Sequence, residues 1–248
     1  SMGKWWWPIL QFYERLAFRK AGKVFFITPE DRAFAINQWN IPAANCVDLP
    51  FGVTIPSFPS DKQAKKQELA NLHGLPSNET LILFNGLLRY KPNLDALMAI
   101  LEKVNPLLQT EKNFSYRIIV CGKDLPESLN GLEKYKNQHV LYAGFVDDIE
   151  AYFTAADLFL NPVQSGGGIK TKMVEAIAYG ATVIATETGA TGINREVCGQ
   201  KLITVPDNDW TGFAKAVIDQ RDQQAVTPAG YYDYYYWKNL ARRIAAIL

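Results

Sequence analysis

The amino-acid sequence predicts an α/β protein built on a doubly wound parallel sheet. From about residue 80 onward, six short apolar runs alternate with helical patterns. Each run is nearly continuous rather than alternating, as strands covered on both faces are. The length of 248 residues, at ~100–200 residues per domain, allows one such domain with a fragment of another.

Taken in order, Ser1-Met2 reads as an expression scar and is set aside. Residues 3–58 form a first region. Apolar side chains at Ile9, Phe12, Tyr13, Leu16 and Ala17 fall at helical spacing over 9–20, with Arg15, Arg19 and Lys20 elsewhere on the turn. Residues 24–27 read as a buried strand. Thr28-Pro29-Glu30-Asp31 supplies an N-cap, a proline at the first helical position and acids in the first turn, opening a helix to about residue 38. Residues 46–49 form another short strand, and the Pro- and Ser-rich stretch that follows to about residue 60 reads as a linker.

The second region, 59–228, carries strands at 81–84, 117–120, 140–143, 158–160, 183–185 and 202–205. Helical patterns lie near 93–109, 125–136, 147–156, 169–180 and 209–221. Five crossovers of this kind make a Rossmann-like domain, in which ligands bind beyond the carboxyl ends of the strands. Residues 229–248 read as one last amphipathic helix, and its tyrosine-rich start (Tyr231, Tyr232, Tyr234, Tyr235, Tyr236, with Trp237) reads as helix packing or, alternatively, as a partner or membrane surface.

Composition excludes several classes. Twenty-six basic and 25 acidic residues leave a net charge of +1, which argues against a nucleic-acid binder that relies on a bulk basic field. No apolar run reaches the ~18–20 residues a membrane span needs. Cys46, Cys121 and Cys198 lie far apart and read as buried free thiols of a reducing compartment. His73 and His139 have no nearby ligand cluster, so no metal site is expected.

The most informative loop runs Asn161-Pro162-Val163-Gln164-Ser165-Gly166-Gly167-Gly168-Ile169-Lys170-Thr171-Lys172-Met173-Val174-Glu175-Ala176. It joins a buried strand to a helix. Its glycines let backbone amides approach a ligand closely, and the helix beyond presents free N–H groups and the positive end of its dipole. Lys170 and Lys172 add charge, and the whole suits a phosphate or pyrophosphate. Glu175 lies within reach of a sugar hydroxyl beside that phosphate. A plain strand-to-helix turn with solvated lysines is the bland alternative. The loop is neither a Walker loop nor G-x-G-x-x-G.

The stretch from Ser165 to Gly180 resembles the donor-site signature of retaining GT-B glycosyltransferases, the family 4 (group 1) branch. Ala181-Thr182-Val183-Ile184-Ala185-Thr186-Glu187-Thr188-Gly189-Ala190 is similar to the strand and turn that follow it in that family. Phe84-Asn85-Gly86-Leu87-Leu88-Arg89-Tyr90-Lys91-Pro92-Asn93 resembles the first strand and phosphate loop of its C-terminal domain. Gly144-Phe145-Val146-Asp147-Asp148-Ile149 and Ala156-Asp157-Leu158-Phe159-Leu160-Asn161-Pro162 match a further segment. The motifs keep the family's order across about residues 46–205.

The resemblance implies the C-terminal, donor-binding half of a GT-B architecture. Residues 3–58 would be a remnant of the N-terminal, acceptor-binding domain, and the helix at 229–248 would cross back toward it. It also implies roles. Glu175 would hold the ribose hydroxyls. Arg89, Lys91 and Lys172 would be the catalytic cations that neutralise the diphosphate, Arg89 and Lys91 at a shorter spacing than the family's. Gly144, Phe145 and Val146 would line the base pocket. Gly86, Gly166, Gly167, Gly168, Ile169, Lys170 and Thr171 would complete the donor site. Gly167 stands where the family's first glutamate falls.

The implied activity is hexosyl transfer, with retention, from a nucleoside-diphosphate sugar to a glycan or lipid-linked acceptor. It would need no metal or other cofactor, and this chain alone would be inactive. The implied location is the cytoplasm, with peripheral contact at the inner face of a membrane; Trp5, Trp6 and Trp7 beside Lys4 would be the anchor, or else pack within the N-terminal domain. Self-association through an exposed remnant surface is also expected; a nucleic-acid partner is not. The alternatives are a nucleotide-binding half-protein that needs a separate chain, and a related GT-B sugar epimerase or glycogen-synthase-type enzyme.

Overall fold

The computed structural model of the chain describes residues 3–221, 223 and 225–247. Ser1-Met2 and the side chains of Lys4 and Trp5 lie outside what is described. The chain divides into two compact units between Phe51 and Gly52.

In the first unit, helix α1 spans Gly3–Lys20, starting earlier than its apolar spacing predicts. Strand β1 (Val24–Phe26), helix α2 (Pro29–Trp39) and strand β2 (Cys46–Asp48) follow. The two strands pair in parallel, Val24 opposite Cys46. Helix α2 begins as the sequence dictates: the Thr28 hydroxyl oxygen accepts from the Asp31 amide at 3.1 Å, with Pro29 in the first turn. A small core of Val24, Phe26, Ala35, Ile41 and Cys46 holds the unit together. Trp6, Trp7, Leu10, Phe12 and Tyr13 of α1 are exposed.

The second unit is the predicted Rossmann-like fold. Helix α3 (Lys62–His73) precedes strand β3 (Thr80–Asn85). The expected 93–109 helix is α4 (Lys91–Ala99), a π-helical turn at Ile100–Val104, and α5 (Asn105–Leu108). Then come β4 (Tyr116–Cys121), β5 (Val140–Gly144), α6 (Ile149–Ala155), β6 (Leu158–Asn161), α7 (Thr171–Ala178), β7 (Thr182–Thr186), α8 (Arg195–Cys198), β8 (Leu202–Val205) and α9 (Trp210–Asp219). Helices α10 (Ala229–Tyr235) and α11 (Trp237–Ala245) close the chain. Six strands pair in parallel in the order β5-β4-β3-β6-β7-β8. Every strand is where the sequence placed it, longer by no more than one residue at either end. The central strands are buried nearly throughout, which is why their apolar runs are unbroken.

Three helical expectations need correction. The sequence predicts no element where α3 lies: its residues, KQAKKQELANLH, bury only Leu69 and Ala70, so apolar periodicity is nearly absent. Its end was marked, however, by Gly74 in the left-handed conformation of a helix C-cap (φ 63°). The helix expected at 125–136 is instead a pair of 3-10 turns at Glu127–Tyr135. They are broken at Asn130, Gly131 and Leu132, all with positive φ. An Asn-Gly pair favours that backbone and overrides the helical spacing of Leu125, Leu129 and Leu132.

The single last helix is two, parted at Tyr236, whose extended backbone bridges Val53. The tyrosines pack, as expected, and do more than fill space. Tyr231 donates to the Val174 carbonyl (2.7 Å), Tyr232 to the Ala178 carbonyl (2.6 Å) and Thr227 to the Ile177 carbonyl (2.6 Å). Buried hydroxyls thus satisfy carbonyls along α7, the helix that opens the site. All three cysteines are buried and free. Among the described residues no helix is long and apolar enough to cross a membrane.

Candidate functional site

The strand order fixes where a ligand crevice can lie. From β3 the sheet grows one way through β4 and β5; from β6 it grows the other way through β7 and β8. The switch point is therefore between β3 and β6. Connections leave those two strands in opposite directions and open a cleft above their carboxyl ends.

Gly86 follows β3, and the glycine loop leaves β6. Gly166 (φ 88°) and Gly168 (φ 73°) adopt left-handed backbone that other residues resist. A buried polar network braces the loop. Asn161 donates to the Gly189 carbonyl at 3.0 Å, Thr186 Oγ1 to the Val163 carbonyl at 2.5 Å, and the Gly189 amide donates back to Thr186 Oγ1 at 3.0 Å. The motifs that contain Asn161 and Thr186 give neither a role, although a buried polar residue at a strand's carboxyl end is itself a signal.

Lys172 lies in the first turn of α7, and its ammonium group reaches across the cleft to the Asn85 carbonyl at 2.8 Å. It stands above Gly86, where a Cβ would be 3.0 Å from Nζ and 2.9 Å from Asn93 Nδ2. Burial pulls the Lys172 pKa down to about 8, opposed by the nearby Glu175 carboxylate. The group is thus largely charged at neutral pH but poorly solvated, and it sits at the positive end of its own helix dipole. Glu175 follows one turn later, and its pKa is raised, first by burial and then by Glu150.

Lys170 behaves differently. Its ammonium folds back onto the loop and donates to the carbonyls of Gly168 (2.9 Å), Gly166 (3.2 Å) and Gly167 (3.3 Å). The sequence places it beside a phosphate, and its ammonium also braces the loop.

Arg89 and Lys91 are exposed and engaged elsewhere, Arg89 with Asp124 at 3.3 Å and Lys91 with Asp95 at 2.6 Å. They flank Tyr90, whose hydroxyl lies 3.2 Å from where a Cβ on Gly166 would sit, so both belong to the rim of the same cleft. Gly144 ends β5 with a left-handed backbone (φ 71°) and accepts from the Gly122 amide at 2.7 Å. Phe145 is 68% exposed. Val146 and Phe145 border a cavity of about 390 Å³ shared with Leu69, Leu72 and Tyr152. The structure therefore brings Gly86, Lys172, Glu175 and the glycine loop into one cleft, with Ile169 and Thr171 on the same segment. Gly144–Val146 lie two strands away along the same edge. Asn85 and Asn93 join the cleft unannounced, Asn85 through a main-chain carbonyl that no side-chain motif reports.

A family model described as glycosyl transferases group 1 matches residues 79–221, the sheet and its cleft together. The chain belongs to that family. Among characterised and uncharacterised relatives, it is 27% identical over 223 residues to an uncharacterized 44.6 kDa protein in the cps region of Klebsiella pneumoniae, covering 85% of this chain and 52% of that one. It is 26% identical over 157 residues to a phosphatidyl-myo-inositol mannosyltransferase of Mycobacterium tuberculosis, covering 62% of this chain and 38% of that one. It thus spans about half, or less, of the length of these curated relatives. Among solved structures, Anabaena HepE in complex with UDP and glucose matches 96% of this chain and 65% of that one, with a TM-score of 0.67 at 16% identity. That likeness shows the fold.

In this group 1 glycosyltransferase chain, no three His, Cys, Asp or Glu side chains gather in a metal-binding group among the described residues. The charge facing the cleft comes from side-chain cations and the amides that open α7.

Proposed function

We propose that the second unit binds the donor of a retaining glycosyltransferase of hexosyltransferase type, a nucleoside-diphosphate sugar, along the carboxyl edge of the sheet. One observation carries the reading. At the switch point a half-buried ammonium from the first turn of α7, the helix that the glycine loop leads into, is held on the Asn85 carbonyl. A cation placed at the positive end of a helix dipole is unfavourable until an anion arrives.

In this reading the diphosphate lies between Lys172 and residues 166–171, and Glu175 takes the ribose hydroxyls. The base lies toward Gly144–Val146, two strand spacings of ~4.8 Å beyond β3. Arg89 and Lys91 exchange their carboxylate partners for phosphate oxygens at the rim. As the glycosidic bond to the diphosphate breaks, negative charge grows on the leaving oxygens. Cations fixed there stabilise the transition state more than the ground state. The reaction needs neither a metal nor another cofactor.

The acceptor, a glycan or a lipid-linked molecule, is met by the remainder of a longer protein, of which residues 3–58 are the tail end of the acceptor domain. This chain alone is inactive. Its work is cytoplasmic, at the inner face of a membrane where the acceptor is lipid-linked. The name of the mycobacterial relative supports a lipid-linked acceptor, and the UDP and glucose bound to the Anabaena protein make UDP the first ligand to try.

The test is calorimetric titration with UDP. Lys172→Met should lower the affinity at least tenfold with the thermal melt retained. Wild-type affinity should fall as pH rises through 8, because the unbound ammonium loses its proton there while bound phosphate would hold it on. Unchanged affinity in Lys172→Met overturns the reading.

A further inference from the structure

The opposite edge of the same sheet holds a cavity of about 710 Å³. Its walls come from the amino ends of the strands: Thr80 opens β3, Asp157 and Gly180 precede β6 and β7, and Lys201 precedes β8. Lys62 and Lys66, one turn apart on α3, face it from the side. We propose that this edge is a second anion site, for a small phosphate-bearing molecule, separate from the donor cleft.

The argument is one of unmatched charge. Among the described residues, three ammonium groups meet around one carboxylate, Asp157. That carboxylate is already engaged, because one of its oxygens accepts from Lys66 at 2.7 Å and from the Leu81 amide at 2.8 Å. Lys62 and Lys201 are left with neutral partners. Lys62 donates to the carbonyls of Thr154 (2.9 Å) and Ala156 (2.5 Å). Lys201, only 4% exposed, donates to the Gly180 carbonyl (2.8 Å) and to Thr182 Oγ1 (3.4 Å).

A lysine carries three donors, so each of the three keeps at least one N–H beyond these bonds. Burying a cation without an anion is costly, and neighbouring cations add to the cost. Accordingly Lys62 and Lys201 are both pulled down to about 8, each chiefly by burial and each opposed by the Asp157 carboxylate, with Lys201 and Lys66 depressing Lys62 further.

Helix capping accounts for part of this, since Lys62 and Lys201 reach carbonyls at the ends of α6 and α7. Lys66 is met by Asp157, and neither contact accounts for the cavity on which all three lysines converge. Among the described residues the remaining charged group on its wall is Arg221, which lies 4.0 Å from Glu111. Asn78, Thr80, Asn113 and Ser115 line another side, a surface for hydroxyl groups. A volume of this size lies in the ~300–1,000 Å³ range of small-molecule sites and exceeds what bare phosphate needs.

The test uses inorganic pyrophosphate titrated into Lys172→Met, where the donor-site cation is gone. Pyrophosphate should still bind, and adding Lys62→Met should weaken that binding at least tenfold. UDP binding by the single Lys62→Met variant should stay within twofold of wild type. Absence of pyrophosphate binding to Lys172→Met overturns the second site, as does equal binding with and without Lys62. Crystals of the unaltered chain soaked in pyrophosphate give an independent readout. Density at Lys62 and Lys201 supports the site, and density confined to Lys172 overturns it.

Discussion

At the carboxyl edge of the sheet, Lys172 stands in the first turn of α7, where the helix dipole is positive, and its ammonium donates to the Asn85 carbonyl. At the amino edge, the ammonium groups of Lys62 and Lys201 reach carbonyls at or just beyond the ends of α6 and α7, where the dipole is negative. Burial lowers all three to about 8. Their desolvation is alike and their company is opposite. The amino-edge lysines are placed with the field of the helices, so part of their charge is met without a ligand. Lys172 is placed against it, so a bound anion relieves more. The donor cleft should therefore bind phosphate more tightly than the amino edge, and removing its cation should be felt first in binding rather than in folding.

The largest effect that would break this contrast is structural. Gly122 follows β4, and a Cβ there would collide with the Gly86 carbonyl. Gly122→Ala must push Gly86 away from beneath Lys172 or strain the backbone. Overpacking of this kind costs ~1–3 kcal/mol, and melting should drop by ~2–4 °C per kcal/mol for a unit of this size. UDP affinity should fall with it, while pyrophosphate binding at the amino edge should not. A thermal melt with both titrations checks this, and unaltered UDP binding would mean the cleft does not depend on the Gly86 position. Next in size is Glu175→Ala. Loss of hydrogen bonds to a charged acceptor should weaken UDP tenfold or more, ~1.4 kcal/mol, yet leave pyrophosphate within twofold. Equal losses for the two ligands would contradict the ribose assignment.

The two edges also differ in how far the sequence reveals them. The six strands were legible because both their faces are buried, which writes near-continuous apolar runs. The glycine loop and Lys172 were legible because they lie on one continuous segment. Helix α3 was not, since a helix lying on the surface with two buried residues carries almost no apolar period. The turns at 127–135 misled for the opposite reason, since apolar spacing was present and the Asn130-Gly131 backbone overrode it. Spacing cannot show that the Lys170 ammonium turns back onto the carbonyls of its own loop. The amino-edge cluster was invisible in principle: Lys62, Lys66, Asp157 and Lys201 come from segments up to about 140 residues apart, and only the strand order brings them together.

The smallest effect sharpens the comparison through pH. Lys201 keeps its proton in the unfolded chain up to the ordinary 10.5 but loses it in the fold from about 8. Between those values the unfolded chain binds more protons, so raising the pH favours the fold. Lys201→Met lacks this gain. The stability difference should therefore move in favour of the unaltered chain as pH rises, by about 1 kcal/mol between pH 8 and 9. Below pH 8 it should be nearly flat. Cys121 and Cys198, raised to about 12 by burial, ionise first in the unfolded chain and pull stability the other way. They are present in both proteins, so they cancel in the difference. Urea melts of the pair at pH 7, 8 and 9 supply the measurement. A difference that stays constant across that range would mean the Lys201 ammonium is solvated as an ordinary surface group is, and the amino edge would then lose the unmatched charge that sets it beside the donor cleft.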